Sequence, residues 1–169
     1  MIVVETDAGE DWDSRTGWAA LARDAILSAV RCSAHSGLIE SELGVEVSVK
    51  FTDDAEVRAL NANWRGKDKA TNVLSFPMAE PNQLDAAGGE ILLGDIVLAH
   101  GICTAEAADK GVKVESHASH LVVHGALHLL GYDHETGEAE AEAMEQIERE
   151  ALAALGIADP YTITEVTTH

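Results

Sequence analysis

Of the eight histidines in this chain, five (His117, His120, His124, His128 and His134) fall between residues 117 and 134. His124 and His128 are spaced i and i+4. At about 100° per residue they sit roughly 40° apart on one helix face, stacked a turn apart, which lets two imidazoles take one metal ion. Gly131 follows, a residue that can adopt the left-handed conformation that ends a helix, and the reversed chain carries His134 back toward the pair. His124, His128 and His134 are therefore expected to form an open tripod for one Zn2+ per chain, because imidazole is a good zinc ligand and catalytic zinc keeps three protein ligands plus water. A structural zinc would normally take a fourth ligand, usually Cys, and neither Cys32 nor Cys103 lies in the cluster.

The spacing of the three histidines, with Gly near the helix end, is that of the metzincin protease pattern. In those proteases the residue after the first His is a Glu that moves a proton between the metal-bound water and the leaving amine. Here that position is Gly125, which has no titratable group, so the metal site is expected without the protease chemistry. His120, one turn before His124 on the same face, is expected behind the ligands or in packing, since a fourth ligand would close the site. Asp133 either accepts from a ligand imidazole or caps the turn. Tyr132 is read as packing, and His117 as structural or exposed.

The chain from His120 to His134, HLVVHGALHLLGYDH, resembles the signature of the YbeY family of bacterial endoribonucleases. Upstream, Asn63 to Pro77 (NWRGKDKATNVLSFP) resembles the family's second motif and Leu93 to Ile96 (LGDI) a third. The first 45 or so residues carry no comparable signature. The resemblance implies a zinc-dependent, single-strand-specific endoribonuclease of 16S rRNA 3′-end maturation and small-subunit ribosome quality control, with zinc on His124, His128 and His134 and a functional arginine at Arg65. It also implies a small-subunit ribosomal protein and an Era-type GTPase as partners, besides the RNA. Two other readings stay beside it: a metal-dependent hydrolase of another substrate such as peptide, and a non-catalytic, zinc-containing ribosome-assembly factor.

Elementary chemistry agrees with the resemblance. A zinc-bound water has its pKa lowered toward about 7. The charge on the non-bridging oxygens of a phosphodiester transition state suits a guanidinium fork, which Arg65 can supply at any ordinary pH. The attacking group is either that water or the RNA 2′-OH. Lys67 and Lys69 would hold backbone phosphate rather than read sequence, and Asn72 and Ser75, just beyond this loop, are candidate substrate contacts.

Charge is the feature that argues most against nucleic acid, because 11 Lys and Arg face 30 Asp and Glu, a net charge of −19. So acidic a chain repels a polyanion at long range unless one face is locally basic. The segment from Arg58 to Lys69 is such a place, with Arg58, Arg65, Lys67 and Lys69 against Asp68. Non-specific RNA binding should then be weak and salt-dependent, which makes delivery by a partner more important. At the other extreme, the seven Glu between residues 135 and 150 face a single Arg and read as the solvated face of a helix.

The elements that must position these groups can be placed from periodicity. At 169 residues the chain is expected to form one domain over 1–169. Short strands are expected over Ile2–Glu5, around Val45–Val49 and over Thr71–Phe76, with Pro77 ending the last. Glu90–Ala99 reads as a strand buried on both faces. Helices are expected at about Arg15–His35, Ala55–Asn63 after the N-cap signature Thr52-Asp53-Asp54, His100–Lys110, Val114–Leu130 and 137–155. Residues 78–89, with Pro81 and Gly88-Gly89, read as an exposed loop. The class is α/β (α+β): a small mixed β-sheet packed with helices, its metal site at the end of a C-terminal helix. No apolar run is long enough to span a membrane, no secretory leader is evident, and the two distant Cys form no CxxC motif, so a reducing cytoplasm is the expected compartment.

Overall fold

The computed structural model describes residues 1–133 and 137–161. Four strands, β1 (Ile2–Ala8), β2 (Gly44–Thr52), β3 (Val73–Pro77) and β4 (Glu90–Ala99), form one sheet in the order β1-β2-β4-β3. β1 and β2, and β2 and β4, run parallel, whereas β3 is antiparallel to β4 at the edge. The edge position explains how Pro77, which has no N–H for a ladder, can close β3. Five helices complete the fold: α1 (Trp18–Cys32), α2 (Asp54–Arg65), α3 (His100–Lys110), α4 (Val114–Leu129) and α5 (Glu138–Ala154).

Alternation along β2 decides which face is which. Val45, Val47, Val49 and Phe51 point into the main core, where they meet Ile26 and Ala29 of α1, Val122 and Leu127 of α4 and Leu152 of α5. α4 is thereby sandwiched between sheet and helices and is buried along most of its length. On the opposite face α2 seals a smaller cluster of Val57, Leu74, Val97 and Ala99. The rest of that face is an open groove of about 850 Å³ lined by Leu60, Trp64, Phe76, Met78 and Val97 with Glu5, Asp7, Lys50, Glu56 and Asp95.

β4 departs from the reading of a strand buried on both faces: Leu93 and Gly94 are buried but Leu92 is exposed, and burial is continuous only from Ile96 to Ala99. α1 is shorter than expected because Gly17 and Ser33 bound it, and the segment 78–89 contains a short 3-10 turn over Pro81–Asp85. No described helix is long and apolar enough to cross a membrane.

Candidate active site

The side chains that could do chemistry converge on a cavity of about 560 Å³ between the end of α2, the start of β3 and the C-terminal end of α4. Arg65, Thr71, Asn72, Val73, Ser75, His124, His128, Gly131, Tyr132 and Asp133 line it. His124 and His128 project from the same face of α4, and their Nε2 atoms stand 3.1 Å apart. Two zinc–nitrogen bonds of about 2.0–2.1 Å at a tetrahedral angle need nitrogens roughly 3.3 Å apart, so this pair fits one ion between them. Among the described residues no third His, Cys, Asp or Glu joins them. His134, the third expected ligand, lies outside the described residues.

The turn that would bring it back is formed as its sequence requires. α4 ends at Leu129, Gly131 takes φ of 103°, and the Tyr132 N–H donates to the Leu127 carbonyl at 3.0 Å. The Tyr132 hydroxyl accepts from the Ala34 N–H at 2.9 Å, tying the turn to the end of α1, so its role is anchorage, as expected from packing.

Gly125 has a steric reason as well as a chemical one. A Cβ there would lie 2.9 Å from Cγ2 of Ile96 and 3.0 Å from Oγ of Ser75. Glycine lets α4 approach the sheet closely at the point where its two histidines face the cavity. A glutamate at this position would meet the β4–β3 wall.

Arg65 is the last residue of α2, which starts on the Asp53 cap, whose side chain accepts from the Glu56 N–H at 2.8 Å, and ends at Gly66 with φ of 70°. Its side chain is exposed and has no hydrogen bond or ion pair among the described residues. Arg58, by contrast, is spent on Asp68, Nε donating to Oδ1 at 2.8 Å, which leaves Arg65, Lys67 and Lys69 as the basic surface of the segment. The buried Asn61 donates from Nδ2 to the Lys69 carbonyl at 2.9 Å and so folds the basic loop back on α2. Lys67 and Lys69 are not among the residues lining the cavity. Ser75 faces it, and so does Asn72, whose amide group is engaged elsewhere: Nδ2 donates to Glu106 Oε1 at 3.0 Å and Oδ1 accepts from the Val73 N–H at 2.7 Å.

Behind the pair sits the residue that sequence reasoning missed. Glu148 of α5 is 0% exposed. Its Oε1 accepts from Nδ1 of His124 at 2.5 Å and lies 3.7 Å from Nε2 of His120, and its Oε2 accepts from the Tyr161 hydroxyl. Burial pushes the Glu148 carboxyl up, but the hydrogen bonds from His120 and His124 outweigh it and hold it well below its ordinary range. Burial, then the bond to Glu148, pushes the Tyr161 phenol up. The expectation that all the glutamates of this helix are solvated thus fails at one position. Met144, Ala151 and Leu152 are buried with Glu148, so it falls on the inner stripe at helical spacing. A carboxylate on the apolar side of the helix, opposite a histidine-bearing helix, was the available signal.

His120 packs behind the pair, in ring contact with His117, His124 and Tyr161. His117 is buried, its Nε2 2.8 Å from Glu106 Oε1.

The cavity thus holds a helix-borne histidine pair and an exposed arginine, with the basic loop outside it, and similarity to known proteins identifies the family. The model of the family described as endoribonuclease YbeY matches residues 16–156. The chain belongs to the endoribonuclease YbeY family. The match reaches well upstream of the motifs, into α1, where no signature could be read. An endoribonuclease YbeY of Rhizorhabdus wittichii is 53% identical over 98% of this chain and 99% of its own, and one of Novosphingobium aromaticivorans 52% identical over 96% and 98%. Among solved structures, the solution structure of TM1509 from Thermotoga maritima superposes with a TM-score of 0.53 at 26% identity, covering 92% of this chain and 91% of that one.

Proposed function

We propose that this chain is a zinc-dependent, single-strand-specific endoribonuclease that acts in 16S rRNA 3′-end maturation and small-subunit ribosome quality control in the cytoplasm. Membership of the endoribonuclease YbeY family supports the coarse reading, an RNA-cleaving hydrolase of rRNA processing. The observation that carries the finer one is the cavity shared by the His124–His128 pair and Arg65 in a chain otherwise so acidic.

His124 and His128, joined by His134, would hold one Zn2+. The ion would supply Lewis acidity for an attacking water or a phosphoryl oxygen. Arg65 faces the same cavity with its five donors uncommitted among the described residues, and a guanidinium fork there stabilises charge growing on the non-bridging oxygens of a phosphodiester. Ser75 offers a hydroxyl to the same wall, Asn72 shapes it, and Asp133 stands beside the turn that leads to His134. Lys67 and Lys69, outside the cavity, attract the backbone that approaches it. Because the surface as a whole is acidic, RNA is held locally and weakly. A small-subunit ribosomal protein and an Era-type GTPase are the proposed partners that bring the substrate in.

The test is a metal-replete cleavage assay on single-stranded RNA, double-stranded RNA and casein, with His128→Ala as the control for contaminating nuclease. Cleavage confined to single-stranded RNA and lost in the variant supports the reading. Cleavage of casein would favour a peptide hydrolase, and no cleavage of any substrate would favour an assembly factor.

A further inference from the structure

We propose that Glu148 is a positioning residue for the histidine pair: its buried carboxylate holds His124 in the tautomer whose Nε2 is the lone-pair nitrogen facing His128, and Tyr161 fixes that carboxylate from the C-terminal segment. The inference rests on the reading of His124 and His128 as metal ligands and adds a residue from α5, outside all three motifs.

A carboxylate is a hydrogen-bond acceptor only, so the 2.5 Å contact between Glu148 Oε1 and His124 Nδ1 requires the proton to be on Nδ1. A neutral imidazole with its proton on Nδ1 presents Nε2 as the unprotonated nitrogen, the one that can bind a metal ion. That atom is the one 3.1 Å from Nε2 of His128. In the opposite tautomer two N–H groups could point at each other across that distance, and His124 would offer no lone pair to an ion.

The carboxylate has little freedom to move. Oε2 is engaged by the Tyr161 hydroxyl, Nε2 of His120 closes the far side at 3.7 Å from Oε1, and the whole side chain is shut off from solvent. Tyr161 is itself held from above by Arg149, whose guanidinium carbon lies 5.1 Å from the ring centre, and Arg149 in turn bonds Asp159 at 3.2 Å. The segment after α5 is thus fastened to α5 and, through Glu148, to the ligand-bearing helix. A carboxylate needed only to join two helices would be served by a surface pair, without burial against a metal-binding imidazole.

The test uses the full chain. Imidazole nitrogen NMR on the metal-free protein reports the His124 tautomer, and chelator competition reports the zinc dissociation constant of wild type, Glu148→Gln and Tyr161→Phe. The expected results are the Nδ1–H tautomer in wild type, a mixture in Glu148→Gln, zinc binding weakened about 10- to 100-fold in Glu148→Gln, and a smaller loss in Tyr161→Phe. The proposal is overturned if His124 is the Nε2–H tautomer in wild type, or if Glu148→Gln binds zinc as tightly as wild type. Should wild type bind no zinc, the metal reading falls, while the tautomer still decides the role of Glu148. Should Glu148→Gln fail to fold, the wild-type tautomer and the affinity of Tyr161→Phe decide it.

Discussion

Nε2 of His124 and Nε2 of His128 stand 3.1 Å apart in a cavity that also contains Arg65, so a metal ion and a substrate phosphate would meet within one enclosure. The first consequence concerns the metal. Removing one of the proposed zinc ligands should cost more than the roughly 10- to 100-fold typical of an outer partner. His128→Ala, half-exposed at the end of α4, should therefore lose stoichiometric zinc by elemental analysis while keeping its helical circular dichroism. Freshly purified wild type without zinc would remove the site assignment.

The proposed role of Arg65 is catalytic and not structural. Its exposed side chain supports no other described residue, so Arg65→Ala should retain zinc and thermal stability but cut single-stranded RNA about 100- to 1,000-fold more slowly, the range for losing one transition-state donor. Arg65→Lys should recover only part of the rate, because an ammonium cannot match two phosphoryl oxygens as a planar fork does. Wild-type rates in Arg65→Ala would exclude a catalytic role.

Much of this architecture was legible because it rests on local signals. β4 at residues 90–99 and α3 at residues 100–110 follow from an apolar run and helical periodicity, and the α2 start follows from the Asp53 cap. The site was legible where spacing carries the geometry, as for His124, His128 and Gly131. It was not legible where long-range packing decides. The spacing of Met144, Glu148, Ala151 and Leu152 puts Glu148 on the apolar stripe of α5, but the partner it meets there depends on α5 lying against α4, which no local pattern shows. The pairing of Arg58 with Asp68 likewise removes one of four cations that composition alone assigns to the basic segment. The burial of Leu92 was overestimated because hydropathy does not reveal that its face of β4 stays open while Leu93, on the other face, enters the core.

Gly125 makes a steric prediction. Gly125→Ala gains up to about 1 kcal/mol of helix propensity, yet its Cβ would press on Ile96 and Ser75, and overpacking of this kind costs about 1–3 kcal/mol. Overpacking should win, giving a lower urea midpoint with unchanged m. Combining Gly125→Ala with Ile96→Ala, which removes both Cγ2 and Cδ1 of Ile96, should be less destabilising than the sum of the two. An additive result would show that the two positions do not press on each other.

The cysteines should differ sharply in reactivity. Burial, and then Glu106, push the Cys103 thiol up to about 12, so almost no thiolate is present near neutral pH. Cys32 is only partly buried. Mass spectrometry after iodoacetamide at pH 8 should find modification at Cys32 alone in the native protein and at both in urea. Rapid native labelling of Cys103 would contradict its placement.

His117 gives the stability a pH dependence whose sign follows from its burial. Desolvation lowers its pKa below the ordinary 6.5, and this outweighs the neighbouring Glu106, which raises it. The unfolded chain therefore binds the proton more readily than the folded one. The contribution of a neutral His117 to stability is fully present above about pH 6.5 and is lost as the pH falls through the lowered folded value. His117→Gln can keep a hydrogen bond to Glu106 but cannot titrate. Its unfolding free energy, measured by urea titration on metal-free protein, should fall less than that of wild type between pH 7.5 and 5.5. Equal falls in the two proteins would place the acid sensitivity on other groups.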